Sequence, residues 1–193
     1  MTRPSYTAAL DRLLKPLGFE RDGRKWVRIR GSIRECVDLQ KSSASGGVTA
    51  NLICWDFEIE SLLRSINRDA PQVVRPMVQR VSHLIDGRDR WWKNDPNGPS
   101  EVAEAVRAYG IPWLERVQSF EDQAVLWYGR AGTVRPWRNS HLPELAVTLY
   151  LLGELDEALA LFDAPVPKTA IQTLVAQGRC VEQWLKRKKD ELQ

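Results

Sequence analysis

The chain opens with an apolar pattern of helical spacing. Tyr6, Leu10 and the leucines that follow recur every three or four residues, as on one face of an amphipathic helix. Ser5 or Thr7 can cap its start, and Gly18 marks its end. The pattern therefore predicts an N-terminal helix that buries its leucine stripe against another element.

Residues 19–57 have a different texture, in which short runs of Val, Ile, Trp and Thr are separated by glycine-containing turns. Short links of this kind favour hairpins. We expect three strands, near Lys25–Arg30, Ile33–Ser42 and Val48–Phe57, joined as an antiparallel meander. The pair Trp91-Trp92 begins either a fourth strand or a loop.

Alternation along the first strand gives this sheet two different faces. Trp26, Arg28 and Arg30 share one face, and Val27 and Ile29 share the other. One face is expected on the core and the other toward solvent or a partner. The core that joins the first helix to the sheet is expected to contain Leu13, Trp26, Leu39 and Leu52.

Most of the remaining chain has helical patterns. Residues 58–68 can form a helix, and 73–85 are assigned to a helix followed by a short extended piece. After a turn signal at 95–98, apolar stripes and capping residues predict a series of helices. These cover 100–109, a segment beginning near Pro112, 119–128, 142–152, 155–162 and 171–185, with a loop over 129–139. The hairpin at 146–162 resembles one tetratricopeptide-type pair, but a single copy does not make a repeat protein.

These elements predict one α+β domain over residues 1–193. A helix-and-sheet portion occupies 1–98, and a helical portion occupies 99–193. The expected sheet is antiparallel, with three or four strands, because short links join neighbouring segments into a meander. The helical half is expected to pack against this sheet.

Composition narrows the class of protein. An apolar content of 43% is enough for a compact core, but the longest apolar stretch, 146–152, is far shorter than the roughly 18 residues of a bilayer helix. The N-terminus lacks the apolar region of a signal peptide, so a cytoplasmic location and no membrane partner are expected. Cys36, Cys54 and Cys180 have no CxxC spacing, which argues against a disulfide framework or a zinc ribbon.

Motifs for catalysis are sparse. His83 and His141 are distant in sequence and belong to no closely spaced ligand set, and Ser45-Gly46-Gly47 lacks the lysine spacing of a phosphate loop. We therefore predict no metal, no cofactor and no catalytic residue. The alternative is an orphan enzyme that uses polar residues of the sheet face, such as Asp38 and Gln40, with His83 as a general base.

Arginine and tryptophan are concentrated at 88–93 and again at 135–138. Arginine planes and indoles can stack unpaired bases, so a single-stranded nucleic-acid groove is a second alternative. We favour internal anchors, because eight tryptophans in 193 residues must mostly serve the core and a guanidinium often packs on an indole inside a protein.

The N-terminal third also carries a pattern of motifs. It contains LLKPLGF at 13–19, KWVR at 25–28, VDLQKS at 37–42 and ANL at 50–52, with a weaker match at IPWL, 111–114. In these motifs the chain resembles the bacterial family known as domain of unknown function 4304. The resemblance implies a small cytosolic α+β protein without established catalytic residues. Uncharacterised families of this kind often resemble immunity proteins encoded beside secreted toxins, so it also implies toxin neutralisation.

Within that pattern, Asp38, Gln40 and Ser42 project from one face of their strand. If a helix covers this face, the three polar groups must be hydrogen-bonded internally. If the face is open, they form a polar platform for a ligand. We favour the internal network.

The charge is unevenly distributed, although 28 Lys and Arg against 25 Asp and Glu leave a net charge of only +3. No Lys or Arg lies between Arg138 and Lys168, whereas 186–189 is a basic run typical of a helix end. The first turn of a helix favours acids for stability alone. The functional alternative is an acidic face that meets a cationic partner. Its candidate residues are Glu144, Glu154, Asp156 and Glu157.

We therefore predict a non-enzymatic binding protein, an immunity protein that neutralises a cognate bacterial toxin by direct contact. A basic, nuclease-like toxin would suit the acidic residues, because nucleases need cationic sites for their phosphate substrates. If the acidic residues serve only helix stability, the open sheet face around Arg28 and Arg30 is the next candidate for the binding surface.

Overall fold

The computed structural model describes residues 5–67, 75–93, 95–131, 141–166, 168 and 172–193. The chain divides into two compact units. The first comprises Met1–Asp56 and Pro76–Arg116, and the second comprises Phe57–Arg75 and Val117–Gln193. The single domain with portions 1–98 and 99–193 stays a prediction.

The first unit begins with the predicted helix, α1 (Tyr6–Leu14). Ser5 caps it, because its Oγ accepts a hydrogen bond of 3.0 Å from the backbone N–H of Ala8. A 3₁₀ turn, Lys15–Leu17, follows, and Gly18 ends it at φ 82°, where a side chain would be strained. Leu10 and Leu14 are fully buried. Leu13, which we had expected in the core, is only half-buried on the flank of the helix.

Five antiparallel strands form one sheet in sequence order. They are β1 (Glu20–Asp22), β2 (Lys25–Arg30), β3 (Ile33–Lys41), β4 (Val48–Asp56) and β5 (Met77–Arg80). The α+β class and the three predicted strands are confirmed, and β1 and β5 extend the predicted sheet to five strands.

The order of elements after β4 corrects a prediction. We expected a helix and then an extended piece over 73–85, but β5 comes first and α3 (Val81–Asp86) follows it. Pairing with β4 explains this order, since Asn51 lies opposite Arg80 and Cys54 opposite Met77. Trp92 adds only an isolated bridge to Val48.

One face of the sheet lies on the core of this unit. Trp26, Val37 and Leu52 align across β2, β3 and β4 and are fully excluded from solvent. The Trp26 Nε1 donates to Asp11 on α1 over 2.8 Å. The same face carries Arg28 and Arg30, so the prediction of an open face around these arginines is wrong. Both are drawn inward by ion pairs with a buried carboxylate on β3.

Helices complete the first unit. They are α3, α4 (Gly98–Ala105), a π-helical turn (Val106–Gly110) and α5 (Ile111–Arg116). Gly110 lies so close to the core face that an added Cβ would stand 3.2 Å from Leu52 Cδ2. Residues 100–109 are helical, as predicted. Their last part, Val106–Gly110, is a wider π-helical turn at the point where Gly110 meets the sheet.

The second unit is helical. It contains α2 (Phe57–Ile66), α6 (Phe120–Ala131), α7 (Leu142–Leu151), α8 (Leu155–Ala160) and α9 (Gln172–Glu191). The predicted α7–α8 hairpin is confirmed, with Gly153 at φ 83° in its turn. The predicted loop over 129–139 begins inside α6, and 132–139 lie outside the described residues. In the part of the chain that the structure describes, no helix has both the length and the apolar character needed to cross a membrane.

Candidate functional site: the open face of the sheet

The second face of the sheet is open, and an apolar band crosses its centre. Strand register aligns Val27, Cys36, Ile53 and Val78 on four successive strands. Val78 is 41% exposed, and Ile29 beside the band is 62% exposed. Large apolar side chains are therefore presented to solvent from a rigid sheet.

A cation and an indole border this band on one side. Ile29, Arg34 and Trp55 align across β2, β3 and β4. The Arg34 guanidinium lies over the Trp55 ring, with its carbon 5.3 Å from the ring centroid. Such a cation–π contact restrains a long side chain at the surface.

A polar cluster borders the band on the other side. We call Gln40, Asn51, Arg80, Asp89 and Trp91 the Arg80 cluster. Arg80 Nε donates to Asn51 Oδ1, and its Nη2 donates to Gln40 Oε1, each over 3.3 Å. Asn51 Nδ2 donates to the same Gln40 oxygen over 3.0 Å. The strands β3, β4 and β5 thus each contribute one member.

The loop after α3 supplies the remaining members of the cluster. Arg80 Nη1 forms an ion pair with Asp89, and the Arg80 guanidinium carbon lies 5.0 Å from the centroid of the Trp91 ring. Trp91 Nε1 also donates to Asp89 Oδ2 over 3.4 Å. The hydrogen bond from Arg80 lowers the pKa of Asp89, and the charge of Arg80 and the hydrogen bond from Trp91 lower it further. Asp89 is therefore held as the anion.

The structure brings together two stretches that are far apart in the sequence. Gln40 and Asn51 belong to the family-like motifs, whereas Asp89 and Trp91 belong to the Arg- and Trp-rich stretch. Arg80 joins them, although it is not among the residues predicted from the sequence. Its place would have followed from assigning residues 77–80 as a strand next to β4, because strand register then puts Arg80 opposite Asn51.

The predicted polar row at 38, 40 and 42 is only partly present. Asp38 and Gln40 lie on the open face, Asp38 half-buried and Gln40 exposed. Ser42 instead stabilises the turn after β3, because its Oγ accepts a hydrogen bond of 3.0 Å from the Ser45 backbone N–H. Gln40 thus has internal hydrogen bonds even though the face is open, a combination that neither expected arrangement included.

The four acidic candidates are in two different environments. Glu154, Asp156 and Glu157 are exposed at the start of α8, where Asp156 forms an ion pair of 2.7 Å with Lys189. Glu144 is only 2% exposed, in the first turn of α7. Its Oε1 accepts a hydrogen bond of 2.8 Å from the Arg75 backbone N–H, and burial raises its pKa to about 7. Glu144 therefore does not contribute to the exposed acidic surface.

The thiols of the sheet have the properties of interior groups. Cys36 is the buried member of the apolar band and Cys54 lies on the core face, so the two project from opposite sides of the sheet. Burial raises the pKa of both, that of Cys36 to about 11. Both are therefore protonated near neutral pH. Within the described ranges, no group of three or more His, Cys, Asp or Glu side chains is placed to hold a metal ion. The arginine- and tryptophan-containing segment at 135–138 lies outside these ranges.

Comparison with known proteins identifies the part of the chain that contains this face. The family described as Domain of unknown function (DUF4304) matches residues 10–116. No curated protein and no solved structure matches the chain. The matched region includes all five strands and the whole Arg80 cluster, and it spans more than half of the 193 residues. The resemblance found in the sequence is thereby confirmed, and the chain belongs to the DUF4304 family.

Proposed function

We propose that this chain is a cytoplasmic, non-enzymatic immunity protein that neutralises a cognate bacterial toxin by direct binding. The observation that carries the proposal is the open sheet face, with its apolar centre and its ordered polar borders. Stable protein interfaces have this arrangement, in which an apolar centre is surrounded by a polar rim.

The composition of the face suits binding to another folded protein. Arginine and tryptophan are enriched among the residues that dominate binding energy, and both occur on each side of the band. Ile29 and Val78 are the most exposed apolar side chains of the face. Their removal from water would favour association, since burial of apolar area stabilises a complex.

The face is also preorganised. Arg34 is restrained by the Trp55 ring, and Arg80 is held by two amides, a carboxylate and an indole. Side chains that are already ordered lose less conformational entropy when a partner binds. A sheet that presents such groups therefore loses little side-chain entropy when it binds.

The exposed acids of α8 offer a second surface for the same function. Glu154 and Glu157 are exposed, and a basic, nuclease-like toxin would be attracted to them electrostatically. The partial neutralisation of Asp156 by Lys189 weakens this attraction. We therefore propose the open sheet face as the principal binding surface. The α8 acids are a second candidate surface, which a separate experiment tests.

The rival functions fit the geometry less well. An arginine lies over one face of the Trp91 ring and over one face of the Trp55 ring, and Trp92 is only 5% exposed, so fewer indole faces are open to stacking bases. A nucleophilic mechanism would need a thiolate or an activated hydroxyl, whereas burial raises the pKa of Cys36 and Cys54. An orphan enzyme and a single-strand-binding module remain alternatives.

The test is co-expression with the product of an adjacent toxin-like gene, followed by affinity measurement and a protection assay in toxin-expressing cells. Val78→Asp places a charge at the edge of the band and should weaken binding at least about tenfold. Ile29→Asp should act similarly. Val125→Asp is the matched control, because Val125 is 60% exposed on α6 and lies far from the band in sequence. Equal affinity of the Val78 and Val125 variants would overturn the assignment of the sheet face.

The second arm reverses Glu154 and Glu157 to lysine, with circular dichroism as a check on folding. If the α8 acids bind the toxin, association slows and loses its salt dependence. If they serve helix stability, both association and protection stay unchanged. Failure of every toxin-like neighbour to bind the wild-type protein would overturn the immunity function itself.

A further inference from the structure

The Arg80 cluster has an asymmetric arrangement of donors and acceptors. Arginine carries only N–H donors, so an amide that contacts it must turn its oxygen toward it. Asn51 and Gln40 both do so, each over 3.3 Å. The contacts therefore fix the orientation of both amides.

This orientation determines what the cluster presents to solvent. Gln40 Oε1 accepts from both Arg80 and Asn51, so the Gln40 amide nitrogen is directed away from them. Gln40 is exposed, and Arg80 keeps 22% of its side-chain surface. Among the described residues, the amide oxygens are occupied inside the cluster, while N–H groups of Gln40 and Arg80 are left for an outside acceptor.

We propose that the Arg80 cluster is a binding site for a carboxylate side chain of the partner protein. The proposal rests on the immunity function proposed above and names the chemistry of one contact in that interface. Arg80 supplies the charge, and the Gln40 amide donates beside it to the same carboxylate. Asp89, on the loop after α3, occupies Arg80 in the free protein and competes with the partner.

Two features favour a protein carboxylate over a nucleic-acid phosphate. One face of the Trp91 ring is covered by the Arg80 guanidinium, so a base cannot stack on that face. The site also adjoins the apolar band, since Asn51 and Ile53 lie on the same strand and the same face. A protein surface can present an acidic residue next to apolar residues, whereas a single strand presents repeated phosphates.

The first experiment uses a probe that does not depend on the toxin. The ¹⁵N-labelled full chain is titrated with an acetylated, amidated tetraglutamate peptide, and the side-chain N–H signals of Gln40, Asn51 and Arg80 are followed by NMR. Saturable shifts at these groups are expected, and the matching tetraglutamine peptide should cause none. Equal or larger shifts with oligo-dT or inorganic phosphate would overturn the preference for a carboxylate, and no shift with any probe would overturn the site.

Two substitutions separate a binding role from a structural one. Gln40→Glu keeps the oxygen that Arg80 needs but replaces the outward donor by a carboxylate oxygen, so the peptide response should disappear while the fold is retained. Asp89→Asn removes the competing charge and should tighten peptide binding about fivefold. If both variants bind the peptide as the wild type does, the cluster only fastens the loop to the sheet. Glu60→Gln on α2 is the control for a change of surface charge.

The same variants then distinguish this inference from the proposed function. Toxin binding that is lost in Val78→Asp but unaffected by Gln40→Glu would preserve the immunity function and overturn the carboxylate site. Tetraglutamate binding that depends on Gln40, without binding of any toxin-like neighbour, would preserve the site and overturn the immunity function. Support for both requires Gln40→Glu to weaken toxin binding by about tenfold.

Discussion

Glu35 in the first unit and Glu144 in the second unit are both buried, and they are accommodated in different ways. Glu35 on β3 is 0% exposed, and Arg28 Nε and Arg30 Nη2 each donate to it over 2.6 Å. Glu144 on α7 is 2% exposed, and it accepts from the backbone N–H of Arg75, while its Oε2 has no hydrogen-bond partner among the residues that the structure describes. The sheet thus stabilises a buried anion with cations, whereas the helical unit leaves a carboxyl group poorly compensated.

The difference shows how a protein can retain a buried acid. In the sheet, the ion pairs offset the desolvation of the charge, and Arg28 also donates to the carbonyl oxygen of Leu17 over 2.9 Å, which ties the end of the first helix to β2. In the helical unit, desolvation raises the pKa of Glu144 to about 7, so the group avoids its charge by binding a proton. The first solution depends on partners and the second on pH.

The largest expected effect comes from removing Glu35. Glu35→Ala leaves Arg28 and Arg30 without their buried counter-charge and should lower the free energy of unfolding by about 3–5 kcal/mol. Chemical denaturation measures this change. Glu60→Ala is the control, because the Glu60–Arg64 pair lies one helical turn apart at the surface and should contribute less than about 1 kcal/mol. A loss below about 1 kcal/mol for Glu35→Ala would mean that the buried pairs contribute little.

The next largest expected effect is a dependence of the free energy of unfolding on pH, which comes from Glu144. Its pKa rises from an ordinary 4.5 to about 7 on folding, so the folded state binds more protons between these values. Stability therefore falls as pH increases through this range, by up to about 3 kcal/mol, and the penalty is complete above pH 7. Below pH 4.5 the carboxyl is protonated in both states and makes no contribution.

Glu144→Gln tests this sign directly. Denaturation from pH 4 to 8.5 should show the variant gaining stability relative to the wild type as pH increases, because the amide cannot ionise. Glu154→Gln, an exposed acid of the same unit, should leave the profile unchanged. Parallel profiles for the wild type and Glu144→Gln would show that Glu144 titrates normally.

Much of the fold could be predicted because its signals are local. Alternation and glycine turns defined β2, β3 and β4 almost to the residue, and apolar stripes defined the α7–α8 hairpin. In contrast, β1 has only three residues, all of them exposed, and β5 has only four. Neither is long enough to show a clear alternation of apolar and polar residues. Their places depend on pairing with a neighbouring strand rather than on their own sequence.

The candidate site was harder to predict because its contacts are long-range. Arg80 meets Gln40 and Asn51 only after three strands have aligned, and no spacing along the chain records this. The prediction that Glu144 belongs to an exposed acidic face was wrong for a related reason. An acid in the first turn of a helix is usually solvated and favoured by the helix dipole. Here the surrounding helices bury that turn, which the sequence pattern of α7 alone does not reveal.

The smallest expected effect distinguishes the two arginines that hold Glu35. Arg28 has 11% of its side chain exposed, and its guanidinium also lies 4.3 Å from the Phe19 ring centroid, whereas Arg30 is 34% exposed. Lysine cannot reproduce the planar fork, so Arg28→Lys should cost about 2 kcal/mol and Arg30→Lys about 1 kcal/mol or less. The order matters more than the values, because solvent screens the more exposed pair. Chemical denaturation of both variants measures this order. A larger loss of unfolding free energy for Arg30→Lys than for Arg28→Lys would mean that Arg30 is the main partner of Glu35.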